Sequence, residues 1–162
     1  MAQIAGRRQF LKTAILAPSI VFSATAFHSA IAMSSNDVRA IIQTARQAWL
    51  SGNGSAFADL FADDGEFIVP GDRWRGPAAI LSVFQDFMST HRVNAIEIRS
   101  LVVQSHTDSD VVHAVVEWDW EDTEIATGKI SRAADAIAID IRGDRITRWR
   151  EYIDADSVSQ TD

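Results

Sequence analysis

Three polar side chains alternate along the last predicted strand, ITRWREYID (residues 146–154). Side chains on a strand point to opposite faces in turn, so Arg150, Tyr152 and Asp154 share one face. A carboxylate beside a phenol or a guanidinium can remove a proton from a substrate while its neighbour donates a hydrogen bond. If apolar surroundings desolvate Asp154, its pKa rises toward the range that is useful for proton transfer. The alternative is an ordinary strand-end carboxylate that is solvated or paired with Arg150.

Asp135 and His91 are two further candidates for proton transfer. Asp135 shares a strand face with Ile137, Ile139 and Ile141, and an acid on an apolar face is unusual. It also lies near the start of its strand, where water could solvate it. His91 follows a predicted helix and belongs to the residue type that titrates near neutral pH. Its alternative role is that of a C-terminal histidine stabilised by the helix dipole.

Large aromatic side chains could form the walls of a binding site. Trp118 and Trp120 share one face of the predicted strand VVHAVVEWDWED, with His113 on the other face, and Trp74 lies in the predicted loop GDRWRG. Flat rings of this size can line a cavity for a polycyclic or aromatic ligand. The two strand tryptophans could instead be core or dimer-interface residues. Trp74 could either cover a ligand or plug the end of a core.

The composition excludes several kinds of site. The 162 residues include no cysteine, so disulfides, iron–sulfur ligation and thiol catalysis are impossible. No histidine pair has metal-ligand spacing and no glycine-rich nucleotide motif occurs, so we predict neither a metal nor a cofactor. The formal net charge is −7, from 15 Lys+Arg and 22 Asp+Glu. Such a surface repels phosphate backbones, so we expect no nucleic-acid partner.

The first 32 residues have the pattern of a signal peptide. Residues 6–12 (GRRQFLK) are basic, residues 13–27 are uncharged and mostly apolar, and Ala30 with Ala32 forms an A-x-A cleavage site. We predict cleavage after Ala32, which leaves residues 33–162 as one domain. The alternatives are a retained membrane anchor or an amphipathic first helix of the domain.

The basic segment resembles the twin-arginine (Tat) consensus S/T-R-R-x-F-L-K. Arg7, Arg8, Phe10, Leu11 and Lys12 match it, and only the first position departs, with glycine in place of serine or threonine. The resemblance implies the Tat translocase as a partner during export. It also implies that the folded protein acts in the periplasm or is secreted.

The remaining chain predicts an α+β domain of three helices with one early strand, followed by antiparallel strands. Apolar residues recur at helical spacing in the first segment, which a glycine ends, and Pro77 opens the third helix. Alternating patterns then predict four strands. The predicted order is α-α-β-α-β-β-β-β. The first helix is predicted within residues 34–53, with Ser35 or Asn36 as N-cap and Gly52 as stop, and the other two at residues 54–65 and 77–91. The predicted strands are residues 66–70, 95–105, 111–122, 128–141 and 146–154.

Four motifs in this order resemble the nuclear-transport-factor-2-like superfamily, specifically its SnoaL-like polyketide cyclase branch. They are a helix ending in SGN, then FADLFADDGEF, RWRGPAAI and a terminal GDRITRWREYID. The resemblance implies a cone of three N-terminal helices packed in a strongly curved antiparallel sheet around a deep apolar cavity, and a homodimer formed through the sheet. By the same resemblance Asp154 matches the base of the cyclases, with Tyr152 or His91 as donor, and the expected ligand-binding residues are Trp118, Trp120, Trp74, Trp49, Phe84 and Asp135.

Two better-defined activities of the superfamily lack their residues here. The R-x-D element of the epoxide hydrolases falls on Trp118 and Trp120, which cannot orient a water molecule. The base of the ketosteroid isomerases falls near Val69 and Pro70. We therefore expect an exported protein that binds a small hydrophobic or aromatic molecule and could catalyse cofactor-free isomerisation, cyclisation or dehydration. The alternative is a non-catalytic periplasmic ligand-binding or dimeric interaction module.

Overall fold

A computed structural model describes residues 33–105, 109–154 and 159–161, the last of these as backbone alone. The predicted signal peptide lies outside the described residues. Within the described ranges, no helix combines the length and the apolar character needed to cross a membrane.

Three helices precede or interrupt the first strands, and each begins and ends for a local reason. The helices are α1 (Ser35–Ser51), α2 (Gly54–Ala58) and α3 (Pro77–Thr90). At the start of α1, Ser34 and Asp37 form a capping box, each side chain accepting from the other's backbone N–H. At its end Gly52 adopts φ 68°, a left-handed conformation that glycine adopts at little cost.

Seven strands form one sheet. They are β1 (Phe61–Val69), β2 (Asp72–Arg75), β3 (His91–Ser105), β4 (Val111–Glu124), β5 (Ile130–Arg142), β6 (Arg145–Ile153) and β7 (Ser159–Thr161). The strand order is β2-β1-β6-β5-β4-β3, and β7 pairs with β5. β4 pairs with one edge of β5 along the whole length of β5. β7 therefore pairs with the other edge of β5, which is also the edge that β6 uses. The result is an α+β fold in which helices pack on a sheet, as predicted.

The sequence predicted an antiparallel sheet, but the observed sheet is mixed. β1 runs parallel to β6, with Phe67 opposite Trp149 and Ile68 opposite Arg150. All other pairings are antiparallel among the described strands. A connection through α3, β3, β4 and β5 separates β1 from β6, which is the long crossover that parallel neighbours need.

The second predicted helix is confirmed at its start but is shorter than predicted, and the predicted loop before α3 was wrong. The helix ends at Ala58 because the chain then pairs with β6, where Ile146 donates its backbone N–H to the Leu60 carbonyl at 2.8 Å. Gly65 lies inside β1 at an irregularity, where a Cβ atom would lie 2.6 Å from the Ile146 carbonyl oxygen. The segment predicted as a loop is β2, which forms a hairpin with β1.

Strand alternation places one face of β4 and β5 against the helices. On β5 the buried side chains are Asp135, Ile137, Ile139 and Ile141, which confirms the predicted shared face. On β4 the buried positions include Trp118, and His113 lies on the exposed face as predicted. The inward face therefore carries both core residues and ionisable groups.

Phe57 joins the helices to the sheet. Its ring is fully buried and lies 5.1–5.7 Å, centroid to centroid, from five other rings. Those rings come from α1, α3, β1 and β6 and are Trp49, Phe84, Phe61, Phe67 and Trp149. One side chain from a five-residue helix thus contacts most of the aromatic core.

Phe57→Ala should lower the free energy of unfolding by about 3–5 kcal/mol, because it removes a large buried ring and leaves a cavity among the rings. The matched control is Val102→Ala on β3, where the side chain is 64% exposed and a change within about 0.5 kcal/mol is expected. Urea unfolding followed by tryptophan fluorescence measures both. Equal losses in the two variants would contradict the central role of Phe57.

Candidate functional site

A cavity of about 380 Å³ lies between the helices and the inward face of the sheet. Five aromatic side chains from α1, α3, β1, β2 and β4 form most of its walls: Trp49, Phe87, Phe67, Trp74 and Trp120. The lining also includes Val69, Val83, Ala133 and Ile153. Its walls are therefore mainly apolar, as in most small-molecule sites.

Four ionisable side chains reach this apolar cavity: Asp122, Asp135, Glu151 and Arg132. The three carboxyl groups each accept a hydrogen bond from the indole N–H of a tryptophan. The pairs are Trp118 to Asp135 at 3.3 Å, Trp120 to Asp122 at 2.8 Å and Trp149 to Glu151 at 2.9 Å. An indole donor partly compensates a carboxyl group for lost water while it keeps an apolar ring in the core.

Asp135 is a buried acid whose pKa is raised. It is 8% exposed, its Oδ2 accepts from Trp118, and its Oδ1 is buried with no hydrogen-bond partner among the described residues. Burial raises the pKa of Asp135, and the hydrogen bond from Trp118 opposes that rise. Asp135 is thus a stronger base than a solvated aspartate once it is ionised.

Glu151 lies on β6, the strand next to β5, and is displaced from Asp135 along the sheet by one inward-facing position. Ile137 faces Glu151 across the β5–β6 ladder, and Asp135 faces Ile153. Burial raises the pKa of Glu151 to about 8, the hydrogen bond from Trp149 opposes this rise, and the charge of Asp135 adds to it. At neutral pH Glu151 therefore keeps its proton. The cavity then holds protonated Glu151 next to Asp135, which ionises first as the pH rises.

Asp122 and Arg132 lie toward the end of the cavity formed by β4 and β5. Asp122 is 7% exposed and faces Ser131 across the ladder. Arg132 is exposed at the rim, where it forms an ion pair with Glu121 at 2.7 Å on the outer side of the cavity lining. The guanidinium group of Arg132 is therefore already paired with a carboxylate that does not line the cavity.

The structure does not bring Asp154 and Tyr152 to the cavity. Tyr152 is 53% exposed and Asp154 is exposed at the end of β6, where its backbone N–H bonds to the Ala134 carbonyl. Trp149 is fully buried and sets the inward face of β6, so Glu151 and Ile153 follow it inward. The face of β6 that carries Tyr152 and Asp154, which the sequence pattern favoured, is therefore the face turned away from the cavity.

His91 lies behind one wall of the cavity. It begins β3, and its ring stacks on Phe87 with centroids 4.6 Å apart and an interplanar angle of 11°. Its Nδ1 lies 2.8 Å from the Thr90 hydroxyl. Since Phe87 lines the cavity and His91 is not among the lining residues, any effect of His91 on a ligand passes through that ring.

The predicted ligand-binding residues divide into two groups. Trp49, Trp74, Trp120 and Asp135 line the cavity, with Trp74 stacked on Phe67 at 5.7 Å. Trp118 and Phe84 are each 1% exposed and lie behind the lining, where Trp118 supports Asp135 and Phe84 packs 4.1 Å from Trp49.

Sequence reasoning missed Glu151 and Asp122, although a signal for each was present. Both lie two positions beyond an inward tryptophan on the same strand, Glu151 after Trp149 and Asp122 after Trp120. Extending the alternation by one step from Trp120 would have placed Asp122, whereas the same step to Glu151 also needs the knowledge that Trp149 is buried. Within the described part of the chain, the cavity included, no group of three or more His, Asp or Glu side chains is arranged so that it could hold a metal ion.

Comparison with known proteins identifies the family. The sequence pattern of the SnoaL-like domain matches residues 38–149. No curated protein is similar enough in sequence to count as a match.

Solved structures of the same fold include three from bacteria with different described activities. An isomerase candidate from Bacillus subtilis has 21% identity and a TM-score of 0.62, covering 74% of this chain and 87% of its own. A polyketide cyclase candidate from Xanthomonas campestris has 22% identity and a TM-score of 0.59, covering 75% and 93%. An LEH-like epoxide hydrolase from M. tuberculosis has 15% identity and a TM-score of 0.61, covering 75% and 86%. At these identities the likeness establishes the fold, and the match over residues 38–149 shows that the chain belongs to the SnoaL-like domain family.

Proposed function

We propose that the protein binds a small hydrophobic molecule in its cavity and catalyses cofactor-free proton transfer on it, with Asp135 as base and Glu151 as acid. The observation that carries this proposal is the pair itself. Two carboxyl groups on adjacent strands lie in one mainly apolar cavity, and their environments separate their protonation states. Pairs of titratable groups with separated pKa values are the usual basis of acid–base catalysis.

The reaction class follows from what such a pair can do. Asp135 would remove a proton from the carbon next to a ligand carbonyl, and Glu151 would donate its proton to the carbonyl oxygen, which gives an enol. Return of a proton to another carbon completes an isomerisation, whereas attack of the enol on a second carbonyl or loss of water completes a cyclisation or a dehydration. In the cyclisation the new C–C bond forms as the π bond of the second carbonyl breaks and its oxygen takes a proton, and in the dehydration a C–O bond breaks as the departing hydroxyl takes a proton and leaves as water. No oxidant or reductant is needed, and a positioned side chain accelerates the proton transfers by about 10²–10⁴-fold.

Asp154 remains the alternative base, proposed from its resemblance to the cyclases. Its exposure makes it a weaker candidate, because the side chain lies outside the lining of the apolar cavity. Tyr152 and His91, the donors proposed with it, lie outside the cavity lining in the same way.

A non-catalytic ligand-binding or dimeric interaction module is the second candidate function. It is favoured by Val69, an apolar side chain that lines the cavity where the ketosteroid isomerases are expected to carry their base. The aromatic walls alone are sufficient to bind an apolar ligand. In this case the acids would orient the ligand without turnover.

Export is part of the proposal. It rests on the resemblance of residues 6–12 to the twin-arginine consensus and on the signal-peptide pattern of residues 1–32. The protein would then meet its ligand in the periplasm or outside the cell, as a homodimer formed through the sheet.

Asp135→Asn should lower proton exchange catalysed at the α-carbon of an aromatic ketone by about 10²-fold or more, because amide nitrogen and oxygen cannot act as the base. The probe is 2-tetralone in D₂O, with deuterium incorporation followed by NMR. Asp154→Asn is the matched control and should retain exchange. Loss of exchange in Asp154→Asn with retention in Asp135→Asn would assign the base to Asp154, and binding of the ketone without exchange would favour the non-catalytic module.

Stability should fall as pH rises from about 4.5 to about 8, because the folded-state pKa of Glu151 lies near 8 and its ordinary value is 4.5. Below this window Glu151 is protonated in both the folded and the unfolded state. Inside the window it is protonated only in the folded state, so the free energy of unfolding falls by at most about 1.4 kcal/mol for each pH unit. The slope should be smaller in Glu151→Gln and unchanged in Glu97→Gln, whose side chain is 67% exposed. Urea unfolding at several pH values measures the three slopes, and equal slopes in all three proteins would exclude a buried, protonated Glu151.

Replacing Arg7 and Arg8 by lysine should block export, because the resemblance to the Tat consensus depends on both arginines. The matched control is Arg39→Lys on α1, which should leave export unchanged. Immunoblots of periplasmic and cytoplasmic fractions measure export in a bacterial host with or without a functional Tat translocase. Export that continues without the translocase would overturn this part of the proposal.

A further inference from the structure

We propose that the ligand of the cavity is a hydrophobic organic cation, such as a tertiary or quaternary amine, held between aromatic faces and the carboxyl group of Asp135. This inference rests on the proposed ligand binding and specifies its chemical class. It depends on two independent features of the lining, the arrangement of its rings and the imbalance of its charges.

The rings surround the cavity from several directions. Trp49 on α1 meets Trp120 on β4 at an interplanar angle of 79°, and it meets Phe87 on α3 at 88°. These near-perpendicular contacts form a corner of three rings. Phe67 and Trp74, stacked on each other, contribute a further wall from β1 and β2. An ammonium group inside such a cavity can contact the face of at least one ring, and tryptophan attracts cations more strongly than tyrosine or phenylalanine.

The ionisable side chains of the lining are mainly acidic. Asp122 on β4, Asp135 on β5 and Glu151 on β6 are acidic, and Arg132 at the rim is the single basic side chain among the described lining residues. Arg132 is exposed and forms an ion pair with Glu121. The helices and strands β1 and β2 contribute to the lining only uncharged side chains within the described residues: Trp49, Val83, Phe87, Phe67, Val69 and Trp74.

Asp135 distinguishes a cation from a neutral ligand. It is more than nine-tenths buried, it lines the cavity, and its Oδ1 has no hydrogen-bond partner among the described residues. A buried carboxylate is costly unless a cation or several hydrogen bonds compensate it. A neutral apolar ligand would displace water and leave that oxygen unpaired, whereas an anion would add repulsion from the acids. A cation supplies the missing opposite charge.

The protonation state of Glu151 depends on the charge of Asp135 as well. The charge of Asp135 is one of the causes that raise the pKa of Glu151, after burial. A bound cation would offset that charge and favour ionised Glu151, so cation affinity should increase as pH rises toward about 8. Asp122, Arg132 and Asp135 are the charged groups that share the cavity with Glu151, and all three are kept when the unsubstituted protein is compared with Glu151→Gln below.

The test compares choline with 3,3-dimethylbutan-1-ol, which has the same shape but carries carbon in place of the charged nitrogen. Titrations of the full chain, followed by tryptophan fluorescence at pH 6, 7 and 8, should give at least tenfold tighter binding of choline. Asp135→Asn should weaken choline binding about tenfold and leave the alcohol unchanged. The matched control is Asp144→Asn in the turn between β5 and β6, where the carboxylate is 85% exposed, and it should change neither affinity.

Each outcome separates this inference from the proposed function. Equal or tighter binding of the alcohol would overturn the cationic ligand and leave cavity binding intact. Choline binding that is unaffected by Asp135→Asn would overturn it as well, because the charge pairing would then be absent. If neither compound bound, the ligand-binding proposal would fail together with the cation. In Glu151→Gln the increase of choline affinity with pH should disappear, and an unchanged increase would contradict the coupling.

Discussion

Packing of aromatic rings around Phe57 attaches the helices of this protein to its sheet, and the cavity depends on that attachment. Helix α2 has five residues, too few to be stable alone, so burial of Phe57 must compensate for the weak local structure. Its neighbour Gly54 permits the close approach of α3, since a Cβ atom there would lie 2.8 Å from Leu81 Cδ1. Burying one large side chain contributes about 1.5–3 kcal/mol.

Core and candidate site share the same rings. Trp49 packs on Phe57 and Phe84 with one part of its surface and lines the cavity with another. The indole groups of Trp118 and Trp149 are buried in the core, yet their N–H groups reach carboxyl groups of the cavity. Core packing therefore fixes the positions of the acids more firmly than loops would, which suits a site whose chemistry depends on a specific separation of two carboxyl groups.

The acids also carry a cost that the fold does not fully offset. One indole hydrogen bond replaces only part of the hydration that a carboxyl group loses on burial, and the remainder appears as the raised pKa values of Asp135 and Glu151. Apolar side chains at these two positions would remove that cost. Their presence is consistent with a functional role, since perturbed ionisable groups in clefts are common at active sites. The same unfavourable charge is the basis of the proposal that the ligand is a cation.

The sequence by itself determined the α+β class, most of the helices and strands, the family resemblance, and the inward face of β5, because these follow from periodicity, capping residues and short motifs. It also indicated that Trp120 and Asp135 belong to one site. Tertiary structure decided which face of β6 turns inward. Both faces of that strand carry polar residues, so alternation alone could not choose between Tyr152 and Glu151, and burial of Trp149 made the choice. Pairing across the sheet likewise extended β1 over the C-terminal part of a predicted helix and turned a predicted loop into β2, because β6 and β1 offered hydrogen bonds that local sequence does not reveal.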